Sequence, residues 1–125
     1  MSLRLPIAVA LVVTAFALFA WSSGALAGDR IEVSSRVTLA PNDPFHGKVL
    51  SRKAACERDR VVAVYRVDPG PDGLYDKSRS NASGEWSIPA GMPNGRFYTI
   101  ARQRSISNGG TTLVCGRAVS SKVEF

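Results

Sequence analysis

Few side chains in this sequence are of the types that carry out catalysis. The chain holds one histidine, His46, and imidazole is the side chain best suited to act as a general base near neutral pH. Asp43 and Ser51 lie nearby in the sequence, but a catalytic triad is an arrangement in space that this spacing does not indicate. We therefore predict that His46 is a structural or solvent-facing strand residue and that the protein is not an enzyme.

Three aspartates could place several carboxylate oxygens around a calcium ion. Asp68, Asp72 and Asp76 are interleaved with Gly70 and Gly73. Their spacing departs from that of a calcium-binding EF-hand loop, and the bidentate glutamate of such a loop is missing. We predict an ordinary turn here and neither a metal nor another cofactor, while the sequence alone leaves calcium open.

The two cysteines, Cys56 and Cys115, are the remaining reactive side chains. They lie 59 residues apart and do not form the C-x-x-C arrangement of redox and zinc sites. An even number of cysteines in an exported chain predicts a disulfide, because an oxidising compartment lets the bond form and persist. We predict one disulfide between Cys56 and Cys115.

Export is predicted from the first 27 residues. Arg4 precedes an uncharged apolar segment over residues 7–21, and Ala25-Leu26-Ala27 follows as an A-x-A cleavage pattern. We expect cleavage after Ala27, so that residues 1–27 are a signal peptide and residues 28–125 form one domain. The expected location is secreted, either extracellular or periplasmic, without membrane association after cleavage. The uncharged run is just long enough to span a bilayer, which leaves a retained anchor as the alternative.

The chain is basic, and most of its cations are arginines. Without Arg4 the sixteen basic residues fall by one, and the net charge falls from +6 to +5. Arginine favours bidentate contacts with anions, so we single out Arg96, Arg102 and Arg104 as candidate ligand-binding residues. A spacing of two predicts that Arg102 and Arg104 share one strand face. No basic run with interleaved aromatic residues occurs, and we therefore expect no specific nucleic-acid binding.

The apolar pattern predicts strands throughout residues 28–125. Residues 31–39 alternate between apolar and polar side chains, residues 61–67 are apolar on both faces as in a central strand, and residues 74–80 are typical of a short edge strand. Residues 105–110 are predicted to form a turn. Short strands separated by turns predict an all-β fold, a β-sandwich of about seven strands.

Residues 79–102 predict a turn, a strand, a second turn and a second strand. Gly84 ends a tight turn that begins at Asn81, and residues 89–95 contain two prolines and two glycines. We expect the strands on either side of residues 89–95 to pair as an antiparallel hairpin, with Trp86 and Ile88 in the core. Asn81, Asn94 and Arg96 would then form its rim, and Asn81 begins a formal glycosylation sequon.

Together these motifs carry a resemblance to known families. Phe45-x-Gly47-x-Val49, Asn81-x-x-Gly84-x-Trp86 and Gly95-x-Phe97 occur in the order found in transthyretin-like and carboxypeptidase-regulatory-like domains. The chain thus resembles a small exported bacterial sandwich domain of these families. The resemblance implies a seven-stranded Greek-key sandwich and no particular activity.

Enzymes with related folds need side chains that this chain lacks. The ring-opening hydrolases use several histidines, and the intradiol dioxygenases bind iron through two histidines and two tyrosines, whereas this chain has His46 alone. We therefore expect a monomeric, non-catalytic module with a structural or protein-interaction role, whose partner is a protein or an envelope polymer. The alternative is glycan or polyanion binding through the dispersed arginines, with help from Tyr65, Tyr75 or Tyr98.

Overall fold

A computed structural model of the chain describes residues 28–40, 45–89, 91 and 93–125. These residues form an all-β structure with one disulfide and one short 3₁₀ turn, Ala54–Cys56. The predicted signal peptide, its cleavage point and the alternative membrane anchor fall in residues 1–27, outside the described residues. Asp43 also lies outside the described residues. Within the described part, we find no helix long and apolar enough to cross a membrane.

The described residues contain eleven strands, several of them only two or three residues long. In chain order these are β1 (Asp29–Val33), β2 (Ser35–Val37), β3 (Phe45–Ser51), β4 (Val61–Arg66), β5 (Gly73–Arg79), β6 (Glu85–Ile88), β7 (Arg96–Ala101), β8 (Arg104–Asn108), β9 (Thr111–Cys115), β10 (Ala118–Val119) and β11 (Val123–Glu124). The count exceeds the predicted seven in part because Ser34 divides one alternating run into β1 and β2, which join different sheets.

The strands form three sheets. The largest has the order β10-β7-β4-β5, with β11 also paired to β7, and the second has the order β2-β3-β6. In the third, β9 lies between β1 and β8, and β1 runs parallel to β9. The predictions that β4 is central and that β5 is an edge strand are confirmed, since β4 pairs with both β5 and β7, and β5 pairs with β4 alone.

The predicted hairpin between β6 and β7 is wrong. β6 pairs with β3 and β7 pairs with β4, so residues 89–95 carry the chain from one sheet to another. A connection of that length with two prolines is not a tight hairpin turn. Instead, the apolar faces of the two strands meet in the core, where Trp86, Ile88 and Phe97 are all buried.

The main hydrophobic core lies between the β2-β3-β6 sheet and the five-stranded sheet. Phe45 of β3 contacts Phe97 of β7 with ring centroids 4.9 Å apart, and Phe125 closes on Phe45 at 4.7 Å. Both sheets contribute buried side chains to this core: Val37, Phe45, Val49, Trp86 and Ile88 from one, and Val62, Val64, Phe97, Ala101 and Ala118 from the other. Leu39, which follows β2, is buried with them. The predicted core positions of Trp86 and Ile88 are confirmed.

A second, smaller core surrounds the disulfide. Cys56 and Cys115 are bonded, as predicted, and both are fully buried beside Val33. Ile106 and Leu113 pack against this cluster from β8 and β9. The disulfide therefore joins the 3₁₀ turn after β3 to the end of β9.

Two glycines stand where the sequence predicts a special backbone. A Cβ on Gly47 would lie 2.0 Å from the carbonyl oxygen of Thr38, so the close approach of the two backbones requires glycine at this position. Gly84 has a φ of 81°, and the Asn81 side-chain oxygen accepts hydrogen bonds from the backbone N–H groups of Ser83 and Glu85. The predicted turn at residues 81–84 is thus confirmed.

The predicted turn at residues 105–110 is wrong over most of its length. Arg104–Asn108 is strand β8, which pairs antiparallel with β9, and only Gly109 and Gly110 turn the chain. Serine and asparagine are typical of turns, yet Ile106 between two serines has the alternation of a strand and packs against the second core. Packing of that one apolar side chain outweighs the turn preference of its neighbours.

We expect removal of the disulfide to lower the free energy of unfolding by about 4 kcal/mol, because the bond closes a loop with a sequence separation of 59 residues. The test is urea unfolding of the oxidised protein and of the variant that combines Cys56→Ala with Cys115→Ala. The wild type unfolded in reductant is the control and should show a similar loss. A loss below about 1 kcal/mol in both would contradict the expectation.

Candidate functional site

Arg60 is a buried charged residue that the sequence did not single out. Its side chain is 0% exposed, and all five of its N–H groups donate hydrogen bonds. Nε and Nη2 donate to the carbonyl oxygen of Arg102 at 3.1 and 2.8 Å. Nη1 donates to the Cys56 carbonyl at 2.8 Å and to the Ser35 hydroxyl at 2.9 Å, and Nη2 donates to the Gly116 carbonyl at 2.7 Å. The guanidinium is thus held by four neutral oxygens.

The role of Arg60 is structural, because none of its donors is left for a ligand. Desolvation by burial lowers the pKa of Arg60 from its ordinary value, and the charge of Arg104 lowers it further. Burial of a charge is costly, and full hydrogen bonding offsets that cost. No spacing in the sequence distinguishes this arginine from the others, because three of its four acceptors lie 25, 42 and 56 residues away.

The exposed cations gather around one carboxylate. Arg79 donates to Asp59 at 3.1 Å, and Nη2 of Arg104 lies 3.5 Å from the same carboxylate. Arg104 also donates to the backbone carbonyl of Arg58 at 2.9 Å. Two arginines facing one aspartate leave this corner of the molecule positively charged.

Arg96, Arg102 and Arg104 are not brought together as a site. The prediction that Arg102 and Arg104 share a strand face is wrong, because β7 ends at Ala101 and β8 begins at Arg104 in another sheet. Arg96 lies at the opposite end of β7 from Arg102, roughly 20 Å away at the usual rise per strand residue.

Arg102 instead lies beside basic residues of β5. A groove of about 400 Å³ places it with Lys77, Arg79, Val61 and Ser78. We call this the β4–β5 groove. The cluster arises from strand pairing, since Val61 pairs with Arg79 and its carbonyl oxygen accepts a hydrogen bond from the Arg102 backbone N–H.

A second groove lies where β5, an edge strand of the five-stranded sheet, meets β6, an edge strand of the β2-β3-β6 sheet. Its volume is about 470 Å³, and we call it the β5–β6 groove. It shares Ser78 and Arg79 with the β4–β5 groove. The residues that line it are mostly polar: His46, Gly47, Lys48, Ser78, Arg79, Asn81, Glu85, Trp86 and Ser87. The histidine, the sequon asparagine and the tryptophan that the sequence singled out therefore meet here.

Trp86 is buried but not fully satisfied. It is 3% exposed, and its indole Nε1 has no hydrogen-bond partner among the described residues. A buried donor without an acceptor costs about 1–3 kcal/mol. Such a group is a reason to look for an acceptor that a ligand or water would bring to this groove.

The outer face of the five-stranded sheet is apolar at its centre. Tyr65 and Tyr98 stack with centroids 5.6 Å apart and an interplanar angle of 16°. Leu74 pairs with Tyr65, Val119 pairs with Ile100, and Leu74 and Val119 are 50% and 51% exposed. We call these five residues the outer sheet face.

The tyrosines proposed for glycan stacking are engaged with other rings. Tyr75 packs edge-on against Phe45 and Phe97, at 5.3 and 5.6 Å. Tyr65 and Tyr98 each cover one ring face of the other. Each of the three tyrosines therefore already contacts another aromatic ring, and of the three Tyr75 is the exposed one, at 43%.

The three aspartates of the calcium hypothesis are not assembled into one site. The carboxylate of Asp72 accepts hydrogen bonds from the Tyr98 hydroxyl and from the Asp68 backbone, and Asp76 accepts one from the Lys77 backbone. Within residues 28–40, 45–89, 91 and 93–125, no group of three or more histidine, cysteine, aspartate or glutamate side chains is placed to hold a metal ion.

We expect Arg60→Ala to lower the free energy of unfolding by about 3–5 kcal/mol, because it leaves buried carbonyl oxygens without donors. The free energy of unfolding of Arg60→Lys should lie between those of the wild type and Arg60→Ala, since an ammonium group has three donors and lacks the planar shape of a guanidinium. Urea unfolding measures both. Exposed Arg58 is the matched control, and a loss for Arg60→Ala no larger than for Arg58→Ala would refute the structural role.

The Tyr98–Asp72 pair predicts a pH dependence. The hydrogen bond that the Tyr98 hydroxyl donates to the Asp72 carboxylate raises the pKa of Tyr98 and lowers the pKa of the Asp72 carboxyl. The hydrogen bond from the Asp68 backbone N–H lowers the pKa of Asp72 further. Asp72→Asn should therefore let Tyr98 ionise at a lower pH. The absorbance of tyrosinate measures this titration, and the Tyr98→Phe variant shows which part of the absorbance change comes from Tyr98.

The same pair also predicts how the stability of the fold changes in acid. Because the folded-state pKa of Asp72 is lowered, its stabilising contribution is complete above the unfolded-state pKa and is lost as pH falls through the folded-state pKa. The stability difference between wild type and Asp72→Asn should thus disappear in acid. A Tyr98 titration that is identical in wild type and Asp72→Asn would contradict the assigned hydrogen bond.

Comparison of the chain with protein-family models, with curated proteins and with solved structures gives no match. The resemblance to transthyretin-like and carboxypeptidase-regulatory-like domains therefore stays a prediction.

Proposed function

We propose that the protein is an exported, non-catalytic β-sandwich module that binds a partner protein through the outer sheet face. The observation that carries this proposal is the row of apolar side chains across that face, from Leu74 on edge strand β5 to Val119 on edge strand β10, both about half exposed. Antiparallel sheets that turn one face to water usually present polar side chains there. Here the solvent side of the sheet carries aliphatic and aromatic residues instead.

The main core supports the sandwich. Buried residues of the β2-β3-β6 sheet and of the five-stranded sheet form one cluster, which is the packing expected of two sheets that face each other. A Greek-key order of the strands is the finer part of the proposal and rests on the resemblance of the sequence motifs. The buried disulfide supports export, because such bonds persist in oxidising compartments.

The charges around the outer sheet face indicate the kind of partner. Lys77 and Arg102 border its apolar centre near Val61, and the pairing of Ala63 with Lys77 sets that cation beside the centre. Protein interfaces combine an apolar centre with a charged rim that complements the partner. The partner that fits is a protein with an exposed apolar patch and acidic residues on the side that meets Lys77 and Arg102.

We expect a photo-crosslinking residue at Val119 or Leu74, in the producing cells, to form one discrete adduct with another protein. Leu50 of β3 is the matched control, since it is 37% exposed but belongs to the β2-β3-β6 sheet. The photo-crosslinking residue placed at Leu50 should give no adduct. Lys77→Glu combined with Arg102→Glu should weaken the adduct at least tenfold, because like charges would then face each other.

Three outcomes would overturn the proposal. They are the absence of an adduct at both Val119 and Leu74, an equal adduct at Leu50, and an adduct that mass spectrometry identifies as a second copy of this chain. An adduct that survives the charge reversal would refute the acidic partner.

A further inference from the structure

We propose that the β5–β6 groove binds an acidic saccharide, meaning a sugar ring that carries a carboxylate or a phosphate. The groove shares no lining residue with the five residues of the outer sheet face, and the proposal does not depend on the proposed protein partner. It also differs from the sequence hypothesis of dispersed arginines, because its charged residues lie together in one groove: Lys48, Arg79 and Glu85.

The groove has the size and position of a small-ligand site. About 470 Å³ lies within the range of roughly 300–1,000 Å³ that is usual for such pockets. Ser78 and Arg79 approach from β5, and Lys48 and Ser87 approach from β3 and β6 of the other sheet. A ligand in the groove would therefore contact both sheets at once.

The cations of the groove favour an anionic group. Lys48 and Arg79 outnumber Glu85, and Lys77 and Arg102 extend the positive charge through the adjoining β4–β5 groove. Arg79 is held by Asp59 only through an exposed ion pair, with side chains 65% and 55% exposed. Such pairs are weak, so the guanidinium can turn to a carboxylate or phosphate and bind it through two parallel hydrogen bonds.

The remaining polar groups suit sugar hydroxyls. The Asn81 side-chain amide donates to Glu85 at 3.3 Å, and its oxygen is fixed by two backbone N–H groups. This holds the Glu85 carboxylate as an acceptor at the groove, where hydroxyl groups of a sugar can donate to it. Ser78 and Ser87 add hydroxyls that can both donate and accept.

Trp86 supplies an independent indication of a ligand. It lines the groove, is 3% exposed, and carries the buried Nε1 that has no partner among the described residues. A sugar or acid oxygen that entered beside the indole would supply the missing acceptor. Occupation of the groove should therefore relieve the cost of that buried donor.

The test follows the indole N–H signal of Trp86 by nuclear magnetic resonance. The full chain with Trp21→Phe has Trp86 as its sole tryptophan, so one indole signal reports on the groove. The probes are a galacturonic acid trisaccharide, mannose 6-phosphate and the neutral trisaccharide maltotriose. We expect a saturable shift of the indole signal with at least one acidic probe, weakened by added salt, and none with maltotriose.

Two variants and their matched controls locate the site. Lys48→Ala and Arg79→Gln should each weaken the binding of the acidic probe about tenfold, whereas Lys53→Ala and Arg58→Gln should leave it unchanged. Thermal unfolding of each variant shows that the fold is retained, since all four side chains are exposed. The two acidic probes distinguish a carboxylate ligand from a phosphate ligand.

The proposal fails if neither acidic probe gives a saturable shift at concentrations up to about 10 mM. It also fails if maltotriose binds equally well, or if the variants Lys48→Ala and Arg79→Gln bind like the wild type. None of these results bears on the crosslinks at Val119 and Leu74, so the two proposals stand or fall separately.

Discussion

The hydrogen bonds of the buried Arg60 guanidinium are the interaction on which the assembly of the three sheets depends. Its acceptors are Ser35 in β2, the Arg102 carbonyl at the end of β7, and the Gly116 carbonyl just after β9. Each of these strands belongs to a different sheet. A fourth acceptor, the Cys56 carbonyl, adds the 3₁₀ turn. One planar side chain thus fixes the relative positions of elements that share few direct contacts.

The disulfide reinforces the same junction covalently. Cys56 both accepts a hydrogen bond from Arg60 and bonds to Cys115, which directly precedes Gly116. Sheets of three short strands are marginal on their own and gain stability by packing against other elements. The small core around Val33 would be too limited for that alone, and the two links at the junction compensate.

Local patterns in the sequence predicted the local structure well. Alternation of apolar and polar residues predicted the strands, the even cysteine count predicted the disulfide, and the composition around Gly84 predicted its turn. Pairing could not be predicted in the same way. The alternation at Trp86 shows that one face of β6 is buried, but it does not show whether β3 or β7 is the neighbour.

The candidate sites were less predictable than the fold. Arg79 and Arg102 are far apart in the sequence and come together only because β5 and β7 flank β4. Arg60 differs from its exposed counterparts through four acceptors, three of which distant segments supply. Residue type indicated that arginines matter here, and the pairing of strands determined which of them act together.

The parallel pairing of β1 with β9 has a consequence for the order of folding. β1 is the first strand that the structure describes, and its partner β9 follows almost all the others along the chain. During synthesis, β1 cannot dock until β9 has emerged, and contacts between such distant segments form slowly because a long loop must close first. Docking of β1 is therefore a late step of folding, whatever the order in which the other strands assemble.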